Sequence, residues 1–149
     1  MKNEYHLKNE KYDEDSTPED IEELKNSVQL IEGNVVYIPS VKINTVFRLN
    51  IIFNRVDELT KEISRYYLLI DGRDSIKKPT SDIKRYSKDR IQNIASKVIH
   101  IVLIFNDKKI FKIILPFISP FLFGNIKTKV YYNYENAINY LRKKNESSL

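Results

Sequence analysis

The sequence contains no cysteine, and this absence removes several kinds of site at once. A disulfide framework, a thiolate metal site and a cysteine nucleophile each need a residue that the chain does not have. Glycine is almost as scarce: there are three glycines, all isolated, so no glycine-rich phosphate-binding loop can form. The lack of cysteine is also typical of proteins in a reducing compartment.

Histidine is rare as well, with His6 near the start of the chain and His100 inside an apolar run. A Ser-His-Asp triad and a zinc site therefore lack enough parts in the right places. His100 stands between Ile99 and Ile101, and a lone histidine in a strand more often makes a structural hydrogen bond than takes part in catalysis. The sequence thus predicts a protein that is not an enzyme and that needs no cofactor or metal.

No apolar run is long and unbroken. The longest spans residues 110–124 and is interrupted by a lysine, a serine and two prolines, so it falls short of the roughly 20 residues that a membrane-spanning helix requires. The first residues run directly into acidic side chains and offer no apolar stretch for a secretion signal. We therefore expect a cytoplasmic protein without a transmembrane segment.

The composition is that of one soluble domain with unevenly placed charge. The chain has 149 residues, of which 42% are apolar and 30% are charged. Residues 1–26 hold four Lys against nine Asp or Glu, a net charge of −5, which leaves +10 on the rest. We predict a largely disordered acidic tail over residues 1–26, in which Thr17 and Pro18 open a short helix, and a single domain over residues 27–149.

The apolar periodicity of this domain alternates between strand and helix patterns. The pattern predicts a hairpin (27–31 and 35–38), a helix (46–63), a strand (67–71), a helix opened by Thr80 or Ser81 (81–95), a strand (98–105), a proline-interrupted helix (108–117), a strand (129–132) and a helix (134–144). Such an order is typical of an α/β fold, in which helices connect the strands of one sheet.

This order, with the segments Tyr67–Asp71, Val98–Phe105 and Val130–Leu141, resembles the STAS-like domains. These are relatives of the anti-sigma factor antagonists and include small STAS/SEC14-like bacterial proteins. The resemblance implies a mixed sheet with an N-terminal hairpin and helices packed mainly on one face. It also implies a non-enzymatic regulatory module, or alternatively a SEC14-like binder of a lipid or small apolar ligand. Antagonist members carry an Asp-Ser-Ser-Gly-like turn with a phosphorylated serine, whereas residues 71–82 contain no Ser-Ser-Gly.

Two loops that follow the central strands form the candidate site, because ligands of such sheets bind outside the carboxyl ends of the strands. The candidate residues for binding a partner or an anion are Asp71, Arg73, Asp74, Ser75, Asn106 and Asp107. The alternative interpretation is that Asp71 begins a turn and that Asp107 caps a helix. Ser75 and Ser81 are candidate phosphoacceptors, since a phosphate at a helix start near basic side chains gains charge-assisted hydrogen bonds.

Three kinds of partner follow from these patterns. We expect a protein partner, bound through the loop 71–80 and the surface of the helix 81–95. The alternative is a lipid or small apolar ligand, held between the helix 46–63 and the phenylalanine-rich stretch 111–123. Nucleic acid is the least favoured partner, because a basic stretch such as residues 77–97 is more typical of a solvated helix face.

Overall fold

The computed structural model describes residues 17–39, 45–73, 80–109, 112 and 126–147. These residues form α1 (Pro18–Ser27), β1 (Gln29–Ile31), β2 (Val35–Ile38), α2 (Val46–Leu59), β3 (Tyr66–Asp71), α3 (Ser81–Ile94), β4 (Val98–Ile104), β5 (Lys127–Tyr131) and α4 (Tyr134–Ser147). Each has a counterpart in the predicted order. The helix predicted over residues 108–117 lies almost wholly outside the described residues.

The strands form one mixed sheet in the order β1-β2-β3-β4-β5. β1 is antiparallel to β2, and the pairs β2–β3, β3–β4 and β4–β5 are all parallel. An α/β fold with a mixed five-stranded sheet is therefore confirmed. Since β2 to β5 run in the same direction, their carboxyl ends meet at one edge of the sheet, which is the edge that carries the candidate loops.

A tight turn closes the predicted hairpin. Glu32 and Gly33 have φ angles of 51° and 83°, in the left-handed region that glycine adopts most easily. The Arg142 guanidinium of α4 pairs with the Glu32 carboxylate at 2.8 Å and connects this turn to the last helix.

Side chains of the central strands alternate between two apolar clusters. The larger cluster packs against α1, α2 and α3, and we call this side the three-helix face; among its residues are Leu24, Val36, Ile52, Phe53, Leu68, Tyr86, Ile91, Ile101 and Leu103. The smaller one packs against α4, and we call this side the α4 face; its buried residues are Val35, Tyr67, Leu69, Val102, Ile104, Ala137, Ile138 and Leu141. Most described helices thus lie on one side of the sheet.

The helix α1 joins the fold earlier than the predicted domain boundary. Thr17 and Asp20 form a reciprocal capping box, and Pro18 occupies the first turn. Leu24 of this helix is buried in the cluster of the three-helix face. Residues 17–26 of the predicted tail therefore belong to the folded unit, while residues 1–16 lie outside the described residues.

Candidate functional site

A buried carboxylate organises the turn after β3. The Asp71 side chain is only 1% exposed, and its oxygens accept hydrogen bonds from the Arg73 guanidinium at 2.6 to 3.1 Å. One oxygen also accepts from the Arg73 backbone N–H at 3.1 Å, which is a turn geometry that aspartate favours. A buried charge is tolerated when it is paired and hydrogen-bonded in this way. Asp71 therefore holds Arg73 at the carboxyl edge of the sheet.

The loop after β4 is connected to this turn. Asn106 donates its side-chain N–H to the Arg73 carbonyl at 2.7 Å, and the Gly72 N–H donates to the Ile104 carbonyl at 2.7 Å. A Cβ at Gly72 would stand 2.9 Å from the Phe105 ring, so this close approach of the strands requires glycine. The structure thus brings together Asp71, Arg73 and Asn106, three of the predicted site residues.

Tyr37 of β2 extends this network across the sheet. Its hydroxyl donates to the Asp71 carboxylate at 3.4 Å, and its ring meets the Tyr134 ring edge-to-face at 5.6 Å. Burial raises the pKa of Tyr37, and the adjacent Asp71 charge raises it further, so the phenol keeps its proton. Both oxygens of Asp71 are consequently engaged by neighbouring side chains.

The remaining predicted site residues are distributed differently. Asp74 and Ser75 lie outside the described residues, and Asp107 is exposed next to Asn106. Thr80 is the N-cap of α3, since its hydroxyl accepts from the Ile83 N–H at 3.3 Å. Ser81 is therefore the exposed first residue of this helix rather than its cap.

Part of the basic stretch on α3 has a structural role. The Arg90 guanidinium pairs with Asp57 of α2 at 2.9 Å and lies over the Phe53 ring at 5.4 Å. The Lys97 ammonium donates to the Thr60 carbonyl at 3.0 Å, at the C-terminal end of α2. Arg90 and Lys97 therefore stabilise the packing of α3 and the following turn against α2, and their charged groups are already paired within the fold.

A second polar cluster, which the sequence did not predict, lies on the α4 face. His100 Nδ1 and the Tyr140 hydroxyl are 2.9 Å apart, and the two rings stack with centroids at 5.9 Å. The Tyr67 ring meets the His100 ring edge-to-face at 5.8 Å, and Tyr131 packs against Tyr140 at 5.7 Å. His100 makes a structural hydrogen bond, as predicted, but it also belongs to an aromatic cluster.

An irregularity of β4 places His100 there. Tyr66 pairs with Val98 and Leu68 with Ile101, so a single residue of β3 stands opposite both Ile99 and His100. This is the geometry of a β-bulge, which shifts the alternation of side chains by one residue. Ile99 packs with the apolar cluster of the α4 face, and His100 contacts Tyr67 and Tyr140 of the same face.

Three lysines surround this aromatic cluster. Lys129 Nζ lies 5.8 Å and Lys144 Nζ 5.6 Å from the centre of the Tyr140 ring, and Lys127 pairs with His100 across the strands. Burial lowers the pKa of His100, and the charges of Lys144, Lys127 and Lys129 lower it further. The imidazole is therefore neutral at physiological pH, within a positively charged environment.

The sequence contained a signal for this cluster. Lys127, Lys129 and Tyr131 occupy every second position of β5, so their side chains share one face of the strand. Tyr140 and Lys144 of α4 are one helical turn apart. What the pattern did not contain is the bulge that turns His100 towards them.

Two further properties hold for the described part of the chain. No three histidine or acidic side chains there form a group that could bind a metal ion. None of the helices described is long and apolar enough to cross a membrane. The phenylalanine-rich stretch of the predicted apolar pocket lies outside the described residues.

The chain was compared with known proteins. It matches no protein-family model, no curated protein and no solved structure.

Proposed function

We propose that the chain is a non-enzymatic regulatory module of STAS type in the cytoplasm, and that it binds a protein partner through residues 71–80 and the outer surface of α3. We call these residues the docking surface. The observation that supports this proposal is the anchoring of its two ends. Asp71, Arg73 and Asn106 hold the start of the loop, and Thr80 caps the helix at its end.

The charge of α3 indicates the chemistry of the partner. The helix carries Lys84, Arg85, Lys88 and Arg90 against Asp82 and Asp89. Arg90 is committed to Asp57, whereas Lys88 and Gln92 are exposed one helical turn apart on the outer surface. A partner with an acidic surface fits this distribution, since complementary charge accelerates encounter and fixes orientation.

Ser81 gives the docking surface a point of regulation. It is exposed in the first turn of α3, where a phosphate gains from the helix dipole and the free backbone N–H groups. Phosphorylation there would reverse the local charge and weaken binding of an acidic partner. An intact-mass measurement on protein from its own host, followed by peptide mapping, tests this assignment.

The docking surface is tested by affinity purification from the host with matched charge reversals. Lys88→Glu changes an exposed residue of α3, and Lys61→Glu makes the same change at an exposed position beyond α2. We expect one protein to copurify in stoichiometric amount with the wild type and with Lys61→Glu. With Lys88→Glu, the amount of this copurified protein should fall at least tenfold. A partner retained equally by both variants, or a preparation that contains only a lipid or metabolite, would contradict the proposal.

A further inference from the structure

The helix α4 covers one side of the sheet by itself and is the last described element of the chain. Its buried side chains are Ala137, Ile138 and Leu141. Near its two ends, the Tyr134 ring packs against the Tyr37 ring, and Arg142 pairs with Glu32 at 2.8 Å. Because α4 can leave the sheet without breaking any strand pairing, it can open locally while the other elements stay folded.

The imidazole of His100 lies between the sheet and this helix. His100 is 8% exposed, and the Tyr140 ring of α4 stacks on its ring. The Tyr140 hydroxyl is 2.9 Å from His100 Nδ1. A neutral imidazole accepts or donates at Nδ1 according to its tautomer, whereas a protonated one can only donate there. This contact therefore connects the protonation state of a strand residue to the packing of α4.

We propose that α4 is a pH-sensitive element of the fold, and that protonation of His100 favours local opening of this helix from the sheet. In the closed state, Tyr140 shields the imidazole from water. In the open state, water surrounds the imidazole and solvates its charge. The opening does not depend on the docking surface of α3, because α3 packs on the other side of the sheet.

Proton linkage gives the direction of the effect. The groups that face His100 are Tyr67 from β3, Lys127 and Lys129 from β5, and Tyr140 and Lys144 from α4. Burial is the larger cause of the lowered pKa of His100, and the lysine charges add to it. Opening removes the burial, so the pKa returns towards the ordinary value of 6.5. The open state thus binds the proton more tightly, and the equilibrium constant for opening rises as the pH falls through this value.

Hydrogen exchange of the full chain, followed by mass spectrometry, tests this opening. The protection factor, which is the ratio of intrinsic to observed exchange rate, is compared between α4 and α3 at about pH 7.5 and about pH 5.5, above the range in which carboxylates titrate. We expect α4 to be less protected than α3 at both pH values. At the lower pH, the protection factor of α4 should fall about threefold or more.

Two results of this comparison would overturn the proposal. Equal protection factors in α4 and α3 would mean that α4 opens only when the whole domain unfolds. A protection factor of α4 that does not change with pH would mean that no proton is coupled to the opening.

Matched histidine variants identify the proton that is bound. His100→Gln removes the titrating group and should abolish the fall in protection of α4 at the lower pH. His6→Gln makes the same change at the only other histidine of the chain and should leave that fall intact. A fall that persists in His100→Gln would refute the assignment to His100.

Matched tyrosine variants test the contact between helix and strand. Tyr140→Phe keeps the ring but removes the hydroxyl that faces His100 Nδ1, so it should lower the protection of α4 already at about pH 7.5. Tyr134→Phe makes the same change in the first turn of α4 and should leave this protection unchanged. If α4 is as protected in Tyr140→Phe as in the wild type, the contact does not hold the helix and the proposal is wrong.

Discussion

The two faces of the sheet are built in different ways. Three helices cover one face, and the buried residues of its cluster are aliphatic or aromatic. A single helix covers the other, with eight buried apolar residues in its cluster. The buried carboxylate and the buried imidazole of the described residues, those of Asp71 and His100, both lie on the side covered by α4.

This difference follows from how much of a sheet one helix can cover. An α-helix is about 10 Å wide, and strands are about 4.8 Å apart, so α4 shields roughly two strands. Polar groups beside such a helix keep access to water and to charged neighbours, as Tyr37 and Lys129 do. The three-helix face thus supplies most of the apolar burial, while the α4 face holds the buried carboxylate and the buried imidazole.

The largest effect is expected from Leu68 and Leu69, neighbours in β3 that point to opposite faces and are both 0% exposed. Leu68→Ala should lower the free energy of unfolding by about 4 kcal/mol and Leu69→Ala by about 3 kcal/mol. The cavity under α4 can shrink, because one helix moves more easily than three packed ones. Urea unfolding of both variants measures the difference. An equal or larger loss for Leu69→Ala would mean that the faces are equally rigid.

The next effect concerns the buried carboxylate of the α4 face. Asp71→Asn keeps the size of the side chain but removes the charge that Arg73 pairs with, and it should cost about 2 kcal/mol. Glu62→Gln makes the same chemical change at an exposed position and should stay within about 0.5 kcal/mol of the wild type. Thermal unfolding at neutral pH compares the two. A similar small effect for both would show that the pair contributes no more than a surface ion pair.

The fold and the site were predictable from sequence to different degrees. Helix and strand periodicities were sufficient to predict the described elements from α1 to α4, because each is a local pattern with a recognisable cap or turn. The proximity of Asp71 and Asn106 was also predictable, since parallel strands end at one edge. The pairing of Asp71 with Tyr37 and the bulge at His100 were not, because both depend on the register between neighbouring strands.

A smaller effect on stability is expected from the hydroxyl groups of two buried tyrosines on the three-helix face, and the two should differ from each other. Burial raises the pKa of Tyr66 and of Tyr86 to about 12. The Tyr86 hydroxyl donates to the Asn50 side chain at 2.7 Å, whereas the Tyr66 hydroxyl faces the Thr60 side chain without a hydrogen bond of good geometry. Tyr86→Phe should therefore cost about 1 kcal/mol, and Tyr66→Phe should be neutral or stabilising. Denaturant unfolding midpoints, compared at an unchanged m-value, measure both changes in stability. A clear loss of stability in Tyr66→Phe would contradict the prediction.

The smallest effect is the contribution of His100 to the pH dependence of stability. Burial and the lysine charges lower its pKa in the folded state, while the unfolded chain binds a proton near the ordinary value of 6.5. Near and below that pH, the unfolded state therefore binds more protons than the folded state. The free energy of unfolding is thus unaffected by His100 well above pH 6.5 and decreases as the pH is lowered through this value. His100→Gln should remove this decline between about pH 7 and 5, above the range in which carboxylates titrate. Lys144→Gln should reduce it without abolishing it, because burial is the larger cause. If stability declines with falling pH in His100→Gln as it does in the wild type, the proton responsible binds to another group.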